Sequence, residues 1–365
     1  MPKKNVFALP DWQRAWRSTD AASRPAAVHI RARSSDFQVR ELLGYEFSGE
    51  GEHDYLLIEK QQTNTAWVAR QLAAHAAIAE RDVGYAGLKD RHSLSRQWFS
   101  VRRPGGGAPD WTGFSRPGVS VVECRRHRRK LRRGAHRANS FKIAMRNIGA
   151  EERPPDALLQ RIATQGVPNY FGEQRFGRAA GNLELAQRLF LGRRLSRLQR
   201  SMALSAARAF IFNHILQERV SAASWNRLLP GDCASLDGSG SIFAVNEPDR
   251  ELEERAELLD VHPSGALWGR GTSDCQGQVA LLEQRIASRF TGLAAGLEQF
   301  TETSRRPLRL AVRQLEWRWD EDTLWLDFTL TRGGFATAVL REIADYSDAA
   351  AGALPASQSA TGDVE

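Results

Sequence analysis

Apolar residues in the first part of the chain recur in twos. Val28, Ile30 and Ala32 fall on one side of an extended segment, and Phe37 and Val39 share a side of the next, Asp36-Phe37-Gln38-Val39-Arg40-Glu41. Continued alternation through Ala32 would turn Arg31 away from Ile30. A polar stretch at residues 48–53, expected to be a solvated turn that includes His53, leads into the strand Tyr55-Leu56-Leu57-Ile58-Glu59. The period then changes. Residues 65–78 are Ala-rich, with Trp67 or Val68, Leu72 or Gln71, His75 and Ile78 at helical spacing, which predicts a helix capped by Thr65. Trp12 and Trp16 are spaced for a shorter helix. Strand patterning returns at Trp98-Phe99-Ser100-Val101 and at Phe141, Ile143 and Met145.

From Gly166 onward an aromatic loop punctuated by Gly leads into helices near residues 183–191 and 195–220, with another over 280–290. Asp237-Gly238-Ser239-Gly240 and His262-Pro263-Ser264-Gly265 read as turns. Leu315, Trp317 and Trp319 lead through Asp320-Glu321-Asp322 to Leu324, Leu326, Phe328 and Leu330, a hairpin in strict alternation. Phe335 opens an amphipathic helix, and residues 348–365, rich in Ala, Ser and Gly, are expected to be disordered. Strand-rich ends around a helical centre predict an α+β protein in which one domain is inserted into another.

With 365 residues, 42% hydrophobic and 26% charged, the chain is long enough for a large core and two domains. A formal net charge of +8 directs attention to a polyanionic partner: RNA, DNA or an acidic membrane surface. Cys124, Cys233 and Cys275 are too dispersed for a zinc site or disulfide framework, which fits a reducing cytoplasm and predicts no metal. No signal peptide and no bilayer-length apolar run is present, so the expected location is cytoplasmic and away from membranes. Positive charge is densest between Cys124 and Arg137. There Arg125, Arg126, Arg128, Arg129, Lys130, Arg132 and Arg133 are accompanied by no acid within the run, and they are candidate phosphate contacts. Pro104-Gly105-Gly106-Gly107 lacks the Gly-Lys-Ser/Thr and helix of a phosphate cradle.

One carboxylate stands out. Asp90 lies between Lys89 and Arg91 after a Gly-containing loop, and an acid flanked by two cations is expected to stay ionised, suited to act as nucleophile or base. The same residues suit an ordinary ion-paired loop. Asn139 could bond a base edge and Phe141 could stack on a ring, although Phe141 also suits a core position.

Gly87-Leu88-Lys89-Asp90-Arg91-His92 with Gln97-Trp98, Asp36-Phe37-Gln38-Val39-Arg40-Glu41, Gly51-Glu52-His53, Asn139-Ser140-Phe141, Pro168-Asn169-Tyr170-Phe171-Gly172-Glu173-Gln174-Arg175-Phe176-Gly177 and Phe335-Ala336-Thr337 occur in this order. Together they resemble the pseudouridine synthase D family, which acts on uridine 13 of tRNA. The resemblance implies cofactor-free, metal-free isomerisation of uridine: detachment at N1, rotation of the base and reattachment through C5. It implies Asp90 as the catalytic aspartate, Arg31 as its basic partner, Phe141 as the stacking ring, and Phe37, Asn139 and Phe335 around the uridine. It further implies a mixed-sheet catalytic domain over 1–165 and 309–365, an inserted and largely helical domain over 166–308, and RNA held between them; a monomer that requires no protein partner is expected. The rival expectation is a non-catalytic RNA-binding protein anchored by the basic run. A metabolic hydrolase using Asp90 is disfavoured, since no nucleophile motif or metal cluster accompanies it.

Overall fold

Strands with apolar side chains on both faces build the largest element of the fold. The computed structural model describes residues 17–18, 24–103, 107 and 109–352; the helix expected around Trp12 and Trp16 lies outside them. In chain order the first strands are β1 (Val28–Ile30), β2 (Phe37–Leu42) and β3 (His53–Lys60), then helix α1 (Thr65–His75), then β4 (Val83–Tyr85), β5 (Leu94–Arg102), β6 (Val119–His127) and β7 (Ala138–Arg146). On one face Leu56 and Ile58 of β3 and Phe99 and Val101 of β5 pack with Val68 and Leu72 of α1. On the other, Tyr55, Leu57 and Trp98 pack with Leu43 and Leu131. Burial on both faces explains why consecutive apolar residues, rather than strict alternation, mark these strands. His53 is not in a solvated turn: it is the first residue of β3 and only 9% exposed.

The central part of the chain forms α2 (Asp156–Gln165), β8 (Val167–Pro168), α3 (Gly181–Phe190), α4 (Arg197–Ser221), β9 (Asp232–Leu236), β10 (Ile242–Val245), α5 (Arg250–Glu257), β11 (Val261–Leu267), α6 (Gly277–Arg289), α7 (Thr291–Phe300), β12 (Ser304–Pro307) and β13 (Arg309–Leu310). α4 begins with a capping box, in which the Ser196 hydroxyl accepts from Gln199 N and the Gln199 side chain accepts from Ser196 N. Its buried Ala203, Ala206, Ala207, Phe210 and Ile211 anchor the core of this region. The region is less purely helical than its pattern suggests, because β10-β9-β11-β12 form a four-stranded sheet. His262-Pro263-Ser264-Gly265, expected as a turn, lies within β11 and is buried. Gly265 there permits close approach: a Cβ would come 2.8 Å from a Leu308 methyl and 3.2 Å from the Phe212 ring.

The predicted hairpin is β14 (Arg313–Asp320) and β15 (Thr323–Thr331), followed by α8 (Ala336–Ile343), β16 (Tyr346–Asp348) and the short α9 (Ala349–Gly352). β15 runs antiparallel to β7, placing Phe328 opposite Phe141 and Leu330 opposite Asn139. Among the described residues the large sheet has ten strands, in the order β14-β15-β7-β2-β5-β3-β6, with β1, β4 and β16 attached beside this path. The expectation of disorder from Asp348 onward fails at its first residues, because β16 pairs in parallel with β1 and sets Asp348 opposite Ile30.

Contacts divide the chain into a helix-rich unit (Met1–Arg24, Pro154–Arg313 and Gly333–Asp345) and a large-sheet unit (Pro25–Arg153, Gln314–Arg332 and Tyr346–Glu365). These bounds differ from the expected division at 165/166 and 308/309, since α2 and α8 pack with the central region. Among the described residues no helix is long and apolar enough to cross a membrane.

Candidate active site

Asp90 sits in the loop between β4 and β5, and the backbone of that loop is tied from several directions. The Gly87 carbonyl accepts from Gln97 Nε2 at 2.6 Å, Lys89 N donates to Thr65 Oγ1 at 3.0 Å, and Thr65 Oγ1 donates to Gln97 Oε1 at 3.1 Å. The Asp90 carbonyl accepts from Lys60 Nζ at 2.9 Å and from Ser93 Oγ at 3.0 Å. Thr65 is therefore not the helix cap: Asn64 is the N-cap residue, and the Thr65 hydroxyl serves the Asp90 loop. Buried polar groups satisfied in this way fix one loop conformation. The Asp90 side chain itself remains half exposed.

Neither chain neighbour of Asp90 is its partner. Lys89 turns inward to a salt bridge with Glu41 (Nζ to Oε2, 2.7 Å), with Glu41 fully buried. Burial pushes the Glu41 carboxyl pKa up, opposed mainly by Lys89. Arg91 donates to the Gln62 carbonyl. The cation that reaches Asp90 is Arg31, with Nη2 2.8 Å from Asp90 Oδ2 and Nη1 2.6 Å from Asp348 Oδ2. Its guanidinium also lies 4.1 Å from the Phe37 ring centroid. β1 stops at Ile30, and Arg31 adopts φ +56°, so the expected simple alternation past Ile30 does not hold. That left-handed backbone costs on the order of 1 kcal/mol for an L-residue, offset here by two ion pairs and the ring contact.

Phe141, on β7, is 8% exposed; its ring stacks on Phe328 at 5.4 Å and meets Phe37 edge-on at 6.2 Å. Asn139, two residues earlier, lies opposite Glu41 of β2, and its buried Oδ1 has no hydrogen-bond partner among the described residues. An unmet buried acceptor is unfavourable by about 1–3 kcal/mol, so a donor supplied there would be favoured. The structure thus links Asp90, Arg31, Phe37 and Phe141 by direct contacts, with Asn139 on the same strand. Phe335 belongs to the helix-rich unit, where it precedes α8 and packs near Phe171, Arg175 and Arg306.

All seven residues of the basic run are exposed. Arg125 and Arg126 lie on the edge strand β6. The run is not free of acids in space: Glu123 pairs with Arg125 and Glu50 with Arg128. Arg126 donates to the Gly51 carbonyl and Lys130 to the Arg81 carbonyl, while Arg133 lies 3.8 Å from the Tyr85 ring centroid. Arg129 and Arg132 form no ion pair among the described residues. Replacing Arg129, Arg132 and Arg133 with Gln should weaken polyanion binding and lower the slope of log Kd against log salt by roughly 0.7 for each arginine that touches a phosphate. A filter-binding salt titration with an unchanged slope would remove these residues from the interface.

Lys60 is not singled out by the residue pattern, although it falls in phase with the buried Leu56 and Ile58 and so points into the protein. Fully buried, its Nζ donates to the Thr63 carbonyl at 2.8 Å as well as to that of Asp90. Burial lowers its pKa to about 8, against the attraction of Asp90 and with the repulsion of Lys89. Below pH 8 both folded and unfolded chains hold this proton. Between about 8 and 10.5 the unfolded chain holds more, so wild-type stability should rise with pH relative to Lys60→Met, by up to about 1.4 kcal/mol per pH unit. Urea denaturation of both proteins across this range checks the prediction; a constant difference would contradict it.

Among the described residues no group of three or more His, Cys, Asp or Glu side chains is placed to hold a metal ion. The sequence model of tRNA pseudouridine synthase D matches residues 20–197 and 192–343. The chain is 45% identical over 330 residues to the tRNA pseudouridine synthase D of Nitrosococcus oceani, covering 89% of this chain and 92% of that one. It is 44% identical over 355 residues to that of Xanthomonas campestris pv. campestris, with 92% and 95% covered. The crystal structure of a putative tRNA pseudouridine synthase D from Methanosarcina mazei shares the fold, with TM-score 0.70, 22% identity and coverage of 90% and 95%. Matches of this extent and identity mean that the chain belongs to the tRNA pseudouridine synthase D family.

Proposed function

We propose that this protein isomerises uridine to pseudouridine in tRNA, at uridine 13, with Asp90 as the catalytic carboxylate. The observation that carries the reading is the Asp90 loop: its backbone is tied by Lys60, Thr65, Ser93 and Gln97, while its carboxylate stands half exposed against Arg31. Family membership supplies the reaction class.

In the reaction the N1–C1′ bond breaks, the uracil turns, and a C5–C1′ bond forms. C5 gives up its hydrogen as a proton and N1 ends protonated, so product and substrate are isomers. A carboxylate held in one place, with its cation supplied by a separate element, suits this chemistry because the group need not reorganise as charge develops. Arg31 positions Asp90 and balances its charge. Phe37 and Phe141 supply aromatic surface for the base. Asn139 Oδ1, which has no donor among the described residues, accepts from the uracil N3–H, and its amide donates to a uracil carbonyl. The base must first leave the tRNA stack, and aromatic surface offsets part of that loss. In this reading the large-sheet unit is the catalytic domain.

The test is tritium release from 5-tritiated uridine in tRNA transcripts, followed by mapping of the modified position. Release accompanied by pseudouridine at position 13 supports the reading. A folded, tRNA-binding protein that releases no tritium would defeat it, and release from another position would overturn the site assignment.

A further inference from the structure

Between residues 175 and 208 the chain carries eight arginines and one acid, Glu184. Five of these arginines cluster where α3 gives way to α4: Arg188 near the end of α3, Arg193 and Arg194 in the turn, and Arg197 and Arg200 in the first turns of α4. All five are exposed, and among the described residues none forms an ion pair. Elsewhere in the same unit the exposed Arg161, Arg178 and Arg227 also form no ion pair among the described residues, but they are not clustered in this way, and five other arginines are compensated. Arg250, Arg255, Arg270, Arg285 and Arg289 each pair with a carboxylate. The corner between α3 and α4 is thus a concentration of positive charge that its own unit leaves uncompensated, and such a field favours a polyanion.

A second observation indicates what kind of polyanion fits. Leu191 and Leu198 are 82% and 70% exposed, so apolar surface is interleaved with the arginines. Leu198, Met202 and Ser205 recur at helical spacing along α4. Met202 and Ser205 then line a cavity of about 260 Å³ together with Arg175, Asn182 and Phe335. Arg175 donates to Ser205 Oγ, and Asn182 Nδ2 donates to the Arg175 carbonyl. Cations on the outside leading to a recess with an aromatic ring and amide groups match a strand that carries phosphates and bases.

We infer that the corner between α3 and α4 is an RNA-docking surface, at which Arg193, Arg194, Arg197 and Arg200 contact backbone phosphates of the substrate. This rests on tRNA being that substrate. The surface belongs to the helix-rich unit, whereas the basic run on and after β6 belongs to the large-sheet unit. Its role is to hold RNA, so its removal acts on affinity and leaves the chemical step intact.

The test compares full-length wild type, Arg193→Gln/Arg194→Gln/Arg197→Gln/Arg200→Gln, the loop-only variant Arg193→Gln/Arg194→Gln, and Arg250→Gln/Arg255→Gln as a control for loss of surface charge. Each is titrated with a tRNA transcript at several potassium chloride concentrations and assayed for pseudouridine formation at saturating tRNA. The fourfold variant is expected to bind at least about tenfold more weakly near physiological salt, with a smaller salt slope. Turnover at saturation should stay within about twofold. The loop-only variant should show an intermediate loss, so the result does not depend on the start of α4 tolerating substitution, and the control should match wild type. Unchanged affinity and slope in both test variants, or an equal loss in the control, would overturn the inference while wild-type turnover left the functional reading standing. Wild type that neither binds nor modifies tRNA would overturn both.

Discussion

Asp90→Asn should abolish pseudouridine formation while leaving the fold and tRNA affinity nearly unchanged. Three features of the site lead to this expectation. The substitution preserves shape and leaves the side-chain oxygen able to accept from Arg31, so the contact that closes the site from the β1 side persists in neutral form. The ties that shape the loop run through the backbone carbonyl of Asp90 and through Gly87 and Lys89, none of which the substitution touches. What disappears is the anionic oxygen, and an amide cannot replace it as nucleophile or base. A loss on the order of 10⁴-fold or more, about 5–6 kcal/mol in the barrier, is expected in tritium release, with the melting temperature and tRNA Kd close to wild type. Substantial residual turnover would remove Asp90 from the chemistry and return it to the role of an ion-paired loop residue.

The second large effect is expected at Lys89→Met. Methionine retains most of the lysine stem but removes the ammonium, leaving the fully buried Glu41 without its salt bridge. Removal of one partner from a buried pair destabilises by about 3–5 kcal/mol, unless the survivor can neutralise itself. Glu41 can do so by taking up a proton, because burial already pushes its pKa up and Lys89 is the main influence opposing that shift. With Lys89 gone, the folded-state pKa should climb further while the unfolded one stays ordinary. Stability of the variant is then fully present below the ordinary carboxylate range and is lost as pH rises through the raised folded value. The deficit relative to wild type should therefore be small at about pH 4 and largest near pH 7–8, measured by urea denaturation. Adding Glu41→Gln should recover part of the loss at neutral pH. A deficit independent of pH would show that the bridge is not what Lys89 contributes.

Much of the architecture is legible in the residue pattern. Period-two alternation marks β2, β7 and β15, helical periodicity marks α1, α3, α4 and α8, and a turn rich in acids marks the β14–β15 hairpin. These features depend on neighbours a few residues apart, and side-chain direction within a strand or helix follows from spacing alone. The central four-stranded sheet is less legible. In β11, Pro263 and Gly265 carry the composition of a turn, but Gly265 is required by close packing against Phe212 and Leu308, partners remote in sequence. β16 is hidden for a similar reason, since Asp348 precedes an Ala-rich tail and only pairing with β1 gives it order.

The charges around the site show the division most clearly. By itself the sequence determined the strand and helix periods and, through the order of its motifs, drew attention to Asp90, Arg31, Phe37, Asn139 and Phe141. Chain adjacency suggested Lys89 and Arg91 as the companions of Asp90. Only the tertiary structure decided that Lys89 belongs to Glu41 and Arg91 to the Gln62 carbonyl, and that Arg31, which the resemblance had already named as the partner of Asp90, also holds Asp348 from 317 residues away. The physical reason is that backbone periodicity is a local property, whereas a buried cation settles wherever the fold brings an acceptor within about 3 Å and excludes water.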